Sequence, residues 1–287
     1  MAAGATVGLA ATGTLAKEVV AVTTEGPAKR MPAVFSAHGN PMNAVRTTAF
    51  TKFLGRWGAE LARPKAILAI SAHWEGPALA VTENPKPDTI HDFYGFPQDL
   101  FDVRYPAPGS PEVGERVRTL LAGAGFVCEV DPKRGLDHGV WVPLIKAYPK
   151  ADVPVVQLSL RHGGPLSQHA KVGAALAPLR DEGVLILGSG NLVHNLGVVD
   201  FAHVDGPVAS WAGQFDAWVK DRLDHGDLAS LEQMQEKAPA GTMAHPTFEH
   251  YVPLLVVAGA AGPKAVVTHP FEGFEHGTIS MRCVAFA

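Results

Sequence analysis

The chain has 287 residues, of which 47% are hydrophobic and 18% charged, and it carries a formal charge of -4 at pH 7. Disorder as the main state is excluded, because disordered chains combine low hydrophobicity with high net charge, and the mildly acidic balance excludes a broad basic nucleic-acid footprint. Cys128 and Cys283 are the only cysteines, so neither a disulfide scaffold nor a cysteine-type zinc site organises the fold.

Residues 1–30 stand apart from the rest of the chain. Ala2 to Leu15 is small and apolar but broken by Gly4, Gly8 and Gly13, and it lacks the basic start of an export signal. It reads as an N-terminal extension or as the remnant of such a signal, too short to cross a membrane. Residues 31–287 read as one catalytic domain. Within it, Ala33–Ala37, Ala66–Ala72, Val153–Leu160, Val184–Ser189 and Lys264–Thr268 are short apolar runs of buried strands. Helical patterns cover Pro111–Ala124, Gln168–Asp181, Val208–Leu223 and the more apolar Thr247–Ala258. Between them Glu83–Pro108, with five prolines and several aromatics, reads as a long ordered loop of the kind that shapes sites. Strands alternating with helices predict an α/β fold with a largely parallel or mixed sheet.

Thirteen histidines are the compositional anomaly. His38, His73 and His194 each come after an apolar strand-like run, and His250 lies near the start of the apolar helix. Ligands in open α/β sheets bind outside the carboxyl ends of strands, so three such ends bring three imidazoles to one rim. Imidazole binds zinc and iron, and its basicity suits proton transfer near neutral pH. These positions imply a mononuclear histidine-rich metal site, with zinc and iron both open. The stretch Gly188-Ser189-Gly190 lacks the lysine of a phosphate-binding loop and is not a nucleophile elbow. His138, in Leu136-Asp137-His138-Gly139, reads either as a capping residue held by Asp137 or as part of a site, and His91 belongs to the aromatic loop. His162, His169, His203 and His225 lie in polar stretches and read as solvated; His245, His269 and His276 read as ordinary structure.

The run Met31-Pro32-Ala33-Val34-Phe35-Ser36-Ala37-His38-Gly39-Asn40-Pro41-Met42 resembles the opening motif of the 4,5-DOPA extradiol dioxygenase family, within the class III (LigB-type) extradiol ring-cleavage dioxygenases. The resemblance continues through Ser71-Ala72-His73-Trp74, Thr89-Ile90-His91-Asp92-Phe93-Tyr94-Gly95-Phe96-Pro97 and Leu136-Asp137-His138-Gly139. Further on it includes Gly190-Asn191-Leu192-Val193-His194-Asn195-Leu196 and Glu249-His250-Tyr251-Val252-Pro253. It implies a single LigB-like α/β domain with a central mixed sheet flanked by helices and one mononuclear metal. Iron(II) is implied for activity, and zinc(II) also suits the site in purified protein. His38, His73 and His250 match metal-binding positions, and His194 matches a histidine assigned as a further ligand or as the catalytic acid/base. His138 matches a histidine that supports the metal ligands or faces the substrate and is read as catalytic with His194, and His91 and Tyr94, on the aromatic loop, are expected to line the substrate pocket.

The wider class uses two histidines and a glutamate. Here Glu249 and His250 are adjacent, and neighbours on a helix point about 100° apart, so one of them faces the metal. The resemblance assigns that place to His250. The implied reaction is extradiol cleavage, inserting both atoms of O2 into a DOPA-like or other substituted catechol to give a ring-opened semialdehyde. The expected partners are the catechol and O2, with no nucleic-acid or membrane partner, in a monomer or small homo-oligomer. A cytoplasmic location is expected, with export the alternative if residues 1–30 are a truncated signal. The same histidines also suit a zinc-dependent hydrolase or a non-catalytic metal-binding relative.

Overall fold

A computed structural model describes residues 30–287, so the reading of the N-terminal extension falls, apart from Arg30, outside the described residues. The apolar runs form the strands of one large sheet: β1 (Ala33–Ala37), β2 (Ala66–Gly76), β3 (Leu79–Thr82), β4 (Cys128–Asp131), β5 (Val155–Arg161), β6 (Val184–Gly190), β7 (Val267–Phe271) and, beyond a small hairpin of β8 (Phe274–Glu275) and β9 (Ile279–Ser280), β10 (Cys283–Phe286). The spatial order is β4-β3-β5-β2-β6-β1-β10-β7. The central four, β5, β2, β6 and β1, are mutually parallel, whereas β3 and β10 run antiparallel to their inner neighbours, so the sheet is mixed.

The central strands are apolar on both faces because both faces are covered. Leu68 and Ile70 of β2 point into one core with Leu176, Phe215 and Val256, while Ile67 and Ala69 point into the other with Trp57 and Trp141. The first core is closed by helices Pro111–Gly123, Ser167–Leu176, Ser210–Asp224 and Val252–Ala261, and the second by Ala49–Glu60 and His138–Ala147. Thr48 starts helix Ala49–Glu60 with a reciprocal capping box to Thr51.

Two helix boundaries differ from the periodicity for reasons visible in the sequence. The pattern over Gln168–Asp181 is cut at Pro178 into Ser167–Leu176 and Pro178–Asp181, since proline cannot continue a helix but can begin one. The apolar helix begins at Val252 rather than Thr247, with Pro253 in its first turn. His169, read as solvated from its polar neighbours, is buried, because helix Ser167–Leu176 turns it away from them.

Helices Ser167–Leu176 and Val252–Ala261 cross at glycines. A Cβ on Gly173 would strike the Val256 carbonyl, and one on Gly259 would strike the Ala170 carbonyl. Each glycine therefore permits the other helix's backbone to touch. Arg180, fully buried, ties this layer to the sheet by donating to the carbonyls of Met31 (2.7 Å), Ala260 (3.2 Å), Ala261 (3.1 Å) and Phe286 (3.1 Å). It thereby satisfies carbonyls that the end of helix Val252–Ala261 leaves without an intrahelical partner.

This packing sets two expectations for stability. Gly259→Ala forces the helices apart and is expected to lower stability by about 1–3 kcal/mol or more, the cost of overpacking; urea unfolding against Gly123→Ala, at an exposed glycine with open space around it, measures it. Burial also pushes the imidazoles of His169 and His245 down to about 4 and about 3. Unfolded, both take up protons near 6.5, so the unfolded chain binds more protons than the fold as pH drops. Their contribution is full above pH 6.5 and is lost between 6.5 and 3. The urea midpoint of the metal-free chain is expected to fall across that window, and less so in His169→Gln.

Candidate metal centre

Because β1, β2 and β6 are parallel neighbours, their carboxyl ends share one edge, where such sheets bind ligands. His38 follows β1, and its amide donates to the Gly190 carbonyl at the end of β6 (3.1 Å). His73 lies within β2, which continues to Gly76 after an irregularity between Ile70 and Glu75 where its pairing with β5 shifts register. His194 follows β6 through Asn191-Leu192-Val193. Two further histidines arrive from helix starts: His138 opens His138–Ala147, and His250 precedes Val252–Ala261 by two residues.

Glycines let these segments close on one another. A Cβ on Gly190 would strike the His250 carbonyl, and one on Gly188 would stand 2.6 Å from that of Pro253. Gly188-Ser189-Gly190 is thus a bare strip of strand on which residues 250–253 lie. Gly139 does the same for helix His138–Ala147, since its Cβ would stand 2.9 Å from Cδ2 of His73.

The five rings form one cluster. Ring centroids lie 4.9 Å apart for His38 and His73, 5.1 Å for His38 and His250, and 3.8 Å for His73 and His138. His194 stacks on His250 at 3.4 Å with the planes nearly parallel. Ring nitrogens of His38, His73 and His250 all fall within 4.8 Å of one another. Two other triplets meet the same limit: His73, Asp92 and His138, and His194, Glu249 and His250.

Hydrogen bonds select the tautomers. The Ser189 hydroxyl donates to the Gly139 carbonyl, so it can only accept from Nδ1 of His38, 3.1 Å away. Nδ1 of His38 is therefore the protonated nitrogen and Nε2 keeps its lone pair. Glu249 accepts from Nδ1 of His250 (3.3 Å), and Nε2 of His250 is buried with no hydrogen-bond partner. Nε2 of His38 and Nε2 of His73 lie 3.2 Å apart.

Electrostatics favour the neutral form of His38, His73, His194 and His250. Burial, and then the neighbouring imidazoles, push the pKa of His38 and of His250 well below the ordinary value. Burial followed by His73 and His138 brings His194 down to about 4, and burial followed by His138 lowers His73. Neutral imidazoles with converging lone pairs and one orphaned buried nitrogen fit a divalent cation, which would supply the missing partner. His38, His73 and His250 could hold it.

Behind His73 lies a polar network. The fully buried carboxylate of Asp137 accepts from Ser71 (2.6 Å), Gln157 (2.7 Å) and Arg134 (3.1 Å), and Arg134 also donates to the His73 carbonyl (3.2 Å). Asp92 accepts from Nδ1 of His138 at 2.9 Å. Sequence reasoning gave no role to Asp92, Gln157 or Arg134, and weighed Ser189 only as part of a phosphate-binding loop or a nucleophile elbow. Only Asp92 had a signal, its place beside His91. The ring of His91 itself turns to the Val103 carbonyl (3.0 Å) and packs with Phe93, Phe101 and Trp141. Tyr94 is 91% exposed, and on this loop it is Phe93 whose ring meets that of His138, at 5.7 Å. Among the described residues no helix is long and apolar enough to cross a membrane.

Residues 31–283 match the family described as the catalytic LigB subunit of aromatic ring-opening dioxygenase. A 4,5-DOPA dioxygenase extradiol of Escherichia coli K12 is 42% identical over 272 residues, covering 94% of this chain and 98% of its own. One from Beta vulgaris is 47% identical over 250 residues, 86% of this chain and 92% of its own. The crystal structure of an uncharacterised Escherichia coli K12 protein superposes with a TM-score of 0.78 at 38% identity, covering 90% of this chain and all of that one.

Proposed function

The chain belongs to the LigB family of aromatic ring-opening dioxygenases, and from that premise we propose that it cleaves a DOPA-like or other substituted catechol beside its diol at an iron(II) site. The observation that carries the reading is the convergence of ring nitrogens of His38, His73 and His250, with Nε2 of His250 buried and unpartnered. Similarity to the 4,5-DOPA dioxygenases supports the choice of catechol. Bound there, iron(II) would supply a centre that holds catechol and O2 side by side and relays electrons between them. In the net reaction, one ring carbon–carbon bond breaks and both oxygen atoms of O2 end in a ring-opened semialdehyde. In the purified protein zinc(II) suits the same nitrogens.

This chain's own residues supply the rest. His194, half-buried and neutral on the face of His250, takes a phenolic proton from the entering catechol and returns it to the product, work suited to imidazole. Its stacking on His250 also leaves it within reach as a further ligand. His138, with Nδ1 engaged by Asp92, presents its other nitrogen for a hydrogen bond to an oxygen of the reacting pair. Glu249 acts behind His250, accepting from its Nδ1, which favours His250 over Glu249 as the ligand. The loop over His138 forms a wall for the aromatic substrate, with His91 and Tyr94 serving the outer rim of its path and Phe93 between them. A homo-oligomer is not required by this chemistry, since all the named groups come from one chain.

Metal analysis of purified variants tests the ligand set. His38→Ala, His73→Ala and His250→Ala are each expected to lose bound iron, whereas His194→Ala keeps it and loses turnover by about 10²-fold or more. Stoichiometric iron in any of the first three refutes that assignment, and lost iron in the fourth makes His194 a ligand.

Substrate chemistry is tested by anaerobic loading with iron(II), followed by oxygen uptake on a panel including DOPA and caffeate. One O2 consumed per catechol with a new yellow product is the expected result. No uptake with iron bound moves the protein to a zinc-dependent hydrolase or a non-catalytic metal-binding relative.

A further inference from the structure

Asp92 sits on the long loop, but a framework delivers it. The Leu136 amide donates to the Asp88 carbonyl (2.7 Å), and the Ile90 amide donates back to that of Leu136 (2.8 Å). The Trp141 indole donates to the Ile90 carbonyl (2.8 Å), and the Tyr105 amide donates to the Thr89 hydroxyl (2.8 Å). The segment leading to Asp92 is thereby fastened to the strand-like stretch before His138 and to the helix that His138 opens.

A single oxygen of Asp92 then makes two bonds to one residue. Oδ1 accepts from the backbone amide of His138 at 3.0 Å and from its Nδ1 at 2.9 Å. The amide bond fixes the carboxylate against the first turn of the helix, and the ring bond fixes the imidazole against the carboxylate. Oδ2 lies 3.8 Å from Nδ1 of His73. An ionised carboxylate only accepts, so the His138 nitrogen facing it carries the proton. No hydrogen bond among the described residues engages Nε2 of His138.

We propose that Asp92 is a positioning residue that holds His138 in the tautomer with Nδ1 protonated and Nε2 bare, and so keeps that nitrogen ready to receive a proton or hydrogen bond from the reacting oxygens. An orienting carboxylate behind a catalytic imidazole does the same in unrelated hydrolytic triads. Without Asp92 nothing on that side of the ring chooses between Nδ1–H and Nε2–H, and a fraction of molecules present a donor where an acceptor is needed. The function of Asp92 in turnover rests on the ring-cleavage reading; the tautomer does not.

The test combines ring spectroscopy with kinetics. In zinc(II)-loaded protein labelled with 15N-histidine, and with His138→Gln to assign the signal, the His138 ring is expected to show protonated Nδ1 and bare Nε2. In Asp92→Ala the Nε2–H form appears; iron content stays stoichiometric, KM stays within about threefold and kcat falls by about 10²-fold. Unlike the amide in such triads, which inverts the tautomer, the side chain introduced by Asp92→Asn has its Oδ1 held toward the ring by the His138 backbone amide; the variant is therefore expected to restore the wild-type ring signal and most of kcat, which a general loss of structure would not allow. Nε2–H in the wild type overturns the assignment, and so does an Asp92→Ala variant with unchanged ring and kcat. Loss of iron in both variants overturns it too, by making Asp92 a ligand. Should Asp92→Ala fail to melt cooperatively, the wild-type ring and Asp92→Asn decide. A wild-type ring as expected with no oxygen uptake on any catechol supports Asp92 as the ring's anchor and sinks the oxygenase reading alone.

Discussion

Imidazoles packed this closely can share a site only while they remain uncharged or share a cation. Each additional proton in the cluster would repel its neighbours and would have to be held away from water, and both penalties lower the ring pKa values together. The surrounding polar groups are arranged to that end. The Ser189 hydroxyl and the Glu249 and Asp92 carboxylates each sit at an Nδ1 position, of His38, His250 and His138 respectively. Protons are thereby parked on the outside of the cluster, and the lone pairs point inward.

The backbone accommodates this demand more than the side chains do. Gly188, Gly190 and Gly139 clear space so that the segment before one helix and the first turn of another lie directly against strands β6 and β2. The polar network of Asp137, Gln157, Ser71 and Arg134 holds β2 where its pairing shifts register beside His73. One half of the sheet and both helix layers thus bear on the position of a few nitrogen atoms, and rigidity of that kind is what a site held on strands and helices offers over one held on loops.

Much of this was legible from the chain. Strand β1 has the predicted limits, β2 and β6 begin where predicted, and the strand-end logic brought His38, His73 and His194 to one edge because parallel neighbours must end together. The residues that tune those imidazoles were not legible. Ser189 sits inside a buried strand, and its motif reads as neither a phosphate-binding loop nor a nucleophile elbow, which says nothing of its bond to His38. Gln157 meets Asp137 only through the placement of β5, and Arg134, three residues before Asp137, reaches it through a local turn that the apolar periodicity does not mark. Asp92 is separated from His138 by 46 residues, and its bond depends on how the loop fastens to Leu136. Strands β3, β4 and β10 were missed for a related reason: they are short, and β4 is largely exposed, so their pairing rather than their own pattern defines them. Helix Ala49–Glu60 was missed although Thr48 and Thr51 form the box that begins it.

The position of β1 has a consequence for how the protein comes into being. Although it is the first strand along the chain, it lies between β6 and β10. On the ribosome it therefore waits with both edges bare while some 150 residues are added before β6 emerges, and longer still for β10. Unpaired apolar edges invite association with other chains, and contacts so distant in sequence form slowly. The strand that presents His38 is thus among the last to be enclosed. The five rings can come together only at the final stage of folding, after synthesis has passed residue 250.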